Sequence, residues 1–112
     1  MKEIIFFKQA KSSIGKFPKS AKIRVAALLD MLKEGIDLQP KDFKSMASVG
    51  KGVNELRIRM GMQYRVFYVA KFKDAIYVLH AFNKKSQKTN QRDIELGQKR
   101  FKELLKQLNE EE

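Results

Sequence analysis

The fold is decided by residues 53–89, which read VNELRIRMGMQYRVFYVAKFKDAIYVLHAFNKKSQKT. Three runs rich in Ile, Val, Tyr and Phe are separated by the short segments 61–63 and 71–74. β-Branched and aromatic side chains fit a pleated surface, and residues typical of turns interrupt it. The stretch therefore predicts three consecutive antiparallel strands.

The first of these runs sorts its side chains by type, because charged residues at odd positions alternate with aliphatic residues at even positions. A two-residue loop after it would bury Arg65 on the aliphatic face, which is costly for an unpaired charge. We therefore predict a three-residue loop at 61–63, which gathers the arginines on one face. The resulting pairs are Arg59 with Arg65, Ile58 with Val66, Arg57 with Phe67 and Leu56 with Tyr68.

Helical patterns flank this predicted sheet. Residues 18–34 carry one apolar stripe at helical spacing, and residues 91–107 carry a second one. Residues 11–17 allow a short helix that ends before Pro18. The remaining segments are a strand at residues 2–8, a long connection at residues 36–52 and a frayed acidic tail at residues 109–112.

This order of elements predicts a single α+β domain over residues 1–112. We expect an antiparallel sheet of about four strands, covered on one face by the N-terminal helices and a C-terminal helix. The face that carries the arginines is expected to stay open.

The composition points to a polyanionic partner. The chain has 24 Lys and Arg against 13 Asp and Glu, and a net charge of +11 in a small domain is typical of nucleic-acid binding. Selection for solubility alone is the other interpretation. The lack of cysteine excludes disulfides and thiolate chemistry, and no apolar stretch approaches the length of a membrane span or a signal peptide. We therefore expect a cytoplasmic protein with no membrane partner.

The predicted arginine face collects the groups that could act on RNA. Arginine presents a planar fork suited to phosphate oxygens, and lysine adds a point charge. Such groups can align an RNA backbone and stabilise charge when its own 2′-hydroxyl attacks the adjacent phosphate. The pattern leaves cleavage, simple nucleic-acid binding and a plain solvated face open. The basic residues on or beside this face are Arg57, Arg59, Arg65, Lys84, Lys85 and Lys88.

His80 is the only histidine in the chain, so neither a Ser-His-Asp site nor a two-histidine metal site can be assembled. We expect no metal and no cofactor. A two-residue turn at 73–74 would put His80 on the arginine face, and a three-residue turn would put it on the core face. A structural role and a role in proton transfer both stay open, with the structural one favoured. Glu55 is interpreted as an ion-pair partner of the arginines.

Three runs together resemble the RelE/ParE toxin superfamily, and most closely its phage-derived, HigB-like branch. They are residues 55–59 (ELRIR), 64–68 (YRVFY) and 79–89 (LHAFNKKSQKT). The resemblance extends from about residue 6 to residue 101. It implies a type II toxin that enters the ribosomal A site and cleaves translated mRNA there.

The same resemblance assigns roles to residues and partners. The positions that match the basic positions of the family's strands, and that are expected to be catalytic, are Arg57, Arg65, Lys84 and Lys85. The residues expected to bind RNA or the ribosome are Arg59, Lys88 and Lys51. The implied partners are the ribosome, mRNA and a cognate antitoxin, commonly a helix-turn-helix, HigA-like protein in this branch. The C-terminal tyrosine of some RelE relatives is missing, which shifts the expected catalysis to lysine or to electrostatic stabilisation alone.

Two other functions remain open at this point. The ParE side of the superfamily inhibits gyrase with the same fold and without nuclease chemistry, so the fold alone does not decide between them. A non-catalytic RNA-binding domain is the third possibility.

Overall fold

The computed structural model describes residues 2–85 and 88–108. Its elements, in chain order, are β1 (Glu3–Phe6), α1 (Lys8–Gly15), α2 (Lys19–Lys33), a 3₁₀ turn (Pro40–Asp42), β2 (Phe43–Ser45), β3 (Val53–Met60), β4 (Met62–Val69), β5 (Ala75–Lys84) and α3 (Gln91–Gln107). The predicted tail at residues 109–112 lies outside the described residues. Of the helices in the described ranges, none is long and apolar enough to cross a membrane.

The strands form one mixed sheet in the order β1-β5-β4-β3-β2. β1 runs parallel to β5, and every other pair of neighbours is antiparallel. The predicted α+β class is therefore confirmed. The sheet has one strand more than expected, because β2 forms inside the predicted connection at 36–52. The connection from β1 to its parallel partner β5 contains α1, α2 and the strands β2, β3 and β4, and a parallel pair needs a long connection of this kind.

The hairpin of β3 and β4 keeps the predicted faces but not the predicted pairs. Met60 pairs with Met62 across Gly61, whose φ of +77° suits glycine, so the turn is tighter than a three-residue loop. The register moves by two residues, and Arg57 instead of Arg59 lies opposite Arg65. Because side chains alternate faces with a period of two, this shift changes every partner and no face. The predicted pairs are wrong, and the shared face of the arginines is confirmed.

Each face of the sheet has its own core. The even positions of β3 and the stripe of α2 meet on one face, with Leu56, Val25 and Leu28 all fully buried there. On the opposite face α3 packs Phe101 and Leu104 against the sheet. The N-terminal helices cover one face as expected, but the C-terminal helix covers part of the arginine face, which is therefore only partly open.

Close contact between α3 and the sheet depends on Gly97. A Cβ atom at this position would lie 2.7 Å from Cδ2 of Phe67 and 2.9 Å from Cγ1 of Val49. The absence of a side chain thus lets α3 sit directly on β4.

Candidate functional site

A buried ion pair between neighbouring strands lies at the centre of the arginine face. Nε of Arg65 is 3.3 Å from Oε1 of Glu55, and the side chains of the two residues are 0% and 2% exposed. The Nε contact lacks hydrogen-bond geometry, so charge holds it. The guanidinium donates instead to Oε1 of Gln63 at 2.6 Å and to the carbonyl of Tyr64 at 3.1 Å. Glu55 is thus the ion-pair partner that was predicted, and the expectation that Arg65 faces solvent is wrong.

Burial shifts the titration of both partners towards their neutral forms. It raises the pKa of Glu55, although Arg65 and a hydrogen bond from Thr89 act to lower it. It lowers the pKa of Arg65, although Glu55 acts to raise it. The desolvation of the two groups therefore outweighs their mutual attraction, as is common for buried ion pairs.

A groove of about 420 Å³ opens beside this pair, and we call it the central groove. Its wall combines residues from β2, β3, β5, the segment before α3 and the first turn of α3. Oγ1 of Thr89 donates to Oε2 of Glu55 at 3.2 Å, which ties that segment to β3. The polar and charged residues of the central groove are Lys44, Glu55, Arg57, Lys84, Lys88, Thr89 and Gln91.

Two residues of the central groove have the properties that proton transfer and phosphate binding require. Burial lowers the pKa of Lys84, and the positive charge of Arg65 lowers it further. A lysine with a lowered pKa beside a carboxyl with a raised pKa is an arrangement typical of general acid–base chemistry. Arg57 is half-buried, and its Nε is a buried donor for which the described part of the chain offers no acceptor. Arg57 also lines the central groove, so its side chain can contact an anion there.

The remaining predicted residues are Lys85, which was expected to be catalytic, and Arg59, Lys88 and Lys51, which were expected to bind RNA or the ribosome. They divide into two groups by position. Lys85 and Lys88 line a second groove of about 440 Å³ beside the start of α3, and Arg59 is exposed near the end of β3. Lys51 lies apart from them, because it precedes the other end of β3. The seven residues from Val53 to Arg59 span about 20 Å at the rise of a strand. The carbonyl of Lys51 accepts from Nζ of Lys71 at 2.9 Å, so this region belongs to the far end of the sheet.

His80 lies on the arginine face, opposite Phe67, after an irregularity in the pairing of β4 and β5. Its Nδ1 is 2.9 Å from a guanidinium nitrogen of Arg100, and its Nε2 is 2.8 Å from Oδ1 of Asp93. Because a guanidinium only donates, Nδ1 accepts and Nε2 carries the hydrogen. Burial lowers the pKa of His80, which favours this neutral form. His80 thus joins β5 to α3, and the structure supports the structural role over proton transfer.

Two contributors to the site were missed as functional residues. Glu55 was interpreted only as a counter-ion, although it is the one carboxylate in an otherwise basic strand face. Thr89 does not cap α3, because Asn90 takes that role, accepting from the amide of Arg92 at 2.7 Å. The contact of Thr89 with Glu55 joins residues 34 positions apart, and no local pattern in the sequence signals it.

The fold and the groove together define a class of protein. It is a small, strongly basic α+β domain that places arginine and lysine around an ionisable carboxyl group. The profile of the phage-derived Gp49-like proteins matches residues 12–102. The chain therefore belongs to this family, which is a family of RelE-like toxins. The superfamily resemblance is supported, and the HigB-like branch stays a prediction.

One solved structure similar to this chain is the crystal structure of the intact E. coli RelBE toxin–antitoxin complex. The sequence identity is 14% and the TM-score is 0.47, with 77% of this chain and 100% of that chain covered. Comparison with curated proteins gave no match.

Proposed function

We propose that this protein is the toxin of a type II toxin–antitoxin system and cleaves translated mRNA on the ribosome. The observation that carries the proposal is the convergence of Glu55, Arg57 and Lys84 in one groove. The pKa of the carboxyl group is raised and the pKa of the ammonium group is lowered. A groove that only bound RNA would need the positive charge but no carboxyl group among its cations.

The proposed reaction uses the RNA's own 2′-hydroxyl. Glu55, in its ionised form, accepts the proton of this hydroxyl, and the 2′-oxygen attacks the adjacent phosphorus. The bond between phosphorus and the 5′-oxygen breaks, and Lys84 gives a proton to the leaving oxygen. Arg57 stabilises the extra negative charge on the phosphorane. The products are a 2′,3′-cyclic phosphate and a 5′-hydroxyl, and no metal is required to balance the reaction.

Arg65 acts in this scheme through another residue. Its guanidinium contacts Glu55, Gln63 and the backbone, and Arg65 does not line the central groove, whereas Glu55 does. Arg65 is therefore not placed to contact the phosphate. We assign it as a positioning residue that fixes the carboxyl group of Glu55. Lys85, Lys88 and Arg59 lie at exposed positions where they would contact the RNA backbone or the ribosome.

The proposed partner is an antitoxin with acidic groups that mask the basic face. Charged surfaces of opposite sign speed the encounter of two proteins, and salt weakens this effect. Membership in a RelE-like toxin family supports this partner, and the helix-turn-helix, HigA-like type stays a proposal. We expect the association rate of toxin and antitoxin to fall as salt rises.

Induced expression followed by mapping of mRNA 5′ ends tests the proposal. The wild type should cut within translated codons and leave 2′,3′-cyclic phosphates, and Arg57→Ala should cut about 10²-fold less, the scale expected for one lost charge-stabilising donor. Lys73→Ala is the matched control, because Lys73 is exposed and lies in the turn before β5, about 30 Å from Lys84 along the strand. DNA breaks with intact mRNA would instead indicate a gyrase inhibitor. The absence of both nucleic-acid damage and growth arrest would indicate a non-catalytic domain.

A further inference from the structure

The edge of the sheet beside Arg57 is open and basic. β2 pairs with β3 only from Asn54 to Leu56, so residues 57–60 have no strand partner on that side within the described chain. A groove of about 290 Å³ occupies this edge, and we call it the edge groove. Its residues are Arg24, Lys41, Asp42, Arg57, Arg59 and Met60. Four of the six carry a positive charge, and the single carboxylate among them is already paired.

Arg24 is anchored in the edge groove. It reaches round from α2, and its Nη2 lies 3.2 Å from Oδ1 of Asp42. The side chain of Asp42 is only 12% exposed, while that of Arg24 is 36% exposed. The buried carboxylate therefore holds one edge of a partly exposed guanidinium. A guanidinium held in this way loses less side-chain freedom when it binds a phosphate than an unconstrained surface lysine does.

The edge groove and the central groove meet at one shared residue. Arg57 lines both of them, and its Nε has no acceptor in the described residues. On the other side, Lys84 and Lys88 line both the central groove and the groove beside α3. A chain of phosphates could therefore pass from the start of α3 across the sheet to Arg24 without leaving basic surface.

We infer that the edge groove is a second phosphate-binding site, which holds the backbone of single-stranded RNA after it leaves the central groove. The inference rests on the proposed function and adds residues of α2 and of the 3₁₀ turn to the RNA path. A single strand fits better than a duplex, because the path bends round the edge of the sheet and single strands follow such basic grooves. Arg57 is the contact shared by the two sites.

The test measures binding of a fluorescent dodecamer and a tetramer of 2′-O-methyl RNA, which cannot be cleaved, over a range of salt concentrations. Arg24→Gln removes the charge but keeps an amide that can donate to Asp42, so the fold should survive. We expect several-fold weaker binding of the dodecamer and a decrease of about 0.7 in the slope of log affinity against log salt, the value for one phosphate contact on a single strand. Binding of the tetramer, which the central groove alone can hold, should stay unchanged.

The variant Asp42→Asn tests whether Arg24 must be positioned by Asp42 or acts only through its charge. Loss of a negative charge beside RNA should strengthen binding if Arg24 acts only through its charge. If Asp42 positions Arg24, the same change should weaken binding of the dodecamer. Lys73→Ala, which removes one positive charge at the far end of the sheet, is the control and should leave the slope unchanged. Thermal unfolding of each variant should show that the fold is retained.

Two results would overturn the inference. One is an Arg24→Gln variant that binds the dodecamer as tightly as the wild type does and shows an unchanged salt slope. The other is unchanged RNA binding together with loss of binding to an acidic peptide, which would make the edge groove a protein-binding site. If mRNA cleavage persists in either case, the proposed function stands without this inference. Absence of cleavage by the wild type would instead contradict the proposed function.

Discussion

Replacing Arg65 with alanine should act on the protein mainly by lowering its folding stability and less by changing the cleavage step. The substitution removes the guanidinium that faces the carboxyl group of Glu55, which is only 2% exposed. Breaking a buried ion pair from one side costs about 3–5 kcal/mol, because the remaining charge stays buried without compensation. At about 4 °C per kcal/mol for a domain of this size, the unfolding midpoint should fall by roughly 12–20 °C.

Urea and thermal unfolding of the purified protein measure this effect. Arg59→Ala is the matched control, because Arg59 is an exposed arginine on the same face of the sheet as Arg65. Its loss should change the free energy of unfolding by less than about 0.5 kcal/mol. The double variant Arg65→Met with Glu55→Gln removes both charges and should recover most of the stability. If Arg65→Ala unfolds within about 1 kcal/mol of the wild type, the guanidinium is not a buried partner of Glu55. A direct contact between Arg65 and RNA would then be the better explanation of any loss of cleavage.

Three further predictions concern pH and packing. The folded-state pKa of Glu55 is raised, so its contribution to stability is present below the unfolded pKa and is lost as pH rises through the folded pKa. The free energy of unfolding of Glu55→Gln, measured in urea over the same pH range, should lack that decline. The folded-state pKa of His80 is lowered, so its contribution to stability is present above about pH 6.5 and is lost as pH falls through the folded pKa. The free energy of unfolding of His80→Gln should lack this decline. An equal decline in the wild type and the variant would refute the assignment. Gly97→Ala should destabilise by about 1–3 kcal/mol because its Cβ would meet Phe67, whereas Gly15→Ala, with no atom within 4 Å of the added carbon, should be neutral or slightly stabilising in the same unfolding measurement.

The alternation in β3 was enough to predict which side chains share a face, because that depends only on a period of two. It could not predict the pairs, since Gly61 permits a turn two residues tighter than the one that was assumed. The burial of Arg65 was also out of reach. It depends on how closely Glu55 and Gln63 enclose the guanidinium, which the alternation alone does not define.

In the candidate site, too, local patterns in the sequence were enough for some residues, and others depended on contacts between distant parts of the chain. The pattern brought Arg57, Lys84 and Lys88 to one groove, because strand neighbours and the end of β5 are local features. It did not separate Lys51, whose distance from the groove depends on the direction of β3. Arg24 and Asp42 were not foreseen, because only the early end of the pairing between β2 and β3 opens the sheet edge to α2.

The parallel pairing of β1 with β5 has a consequence for how the protein is made. Residue 3 pairs with residue 75, so β1 leaves the ribosome well before its partner β5 is synthesised. At about 5–20 residues per second, its IIFF segment stays unpaired for roughly 4–14 seconds of synthesis. The sheet that carries the basic groove is completed only when most of the chain exists. A nascent chain released early would therefore expose an aggregation-prone strand and would lack the groove.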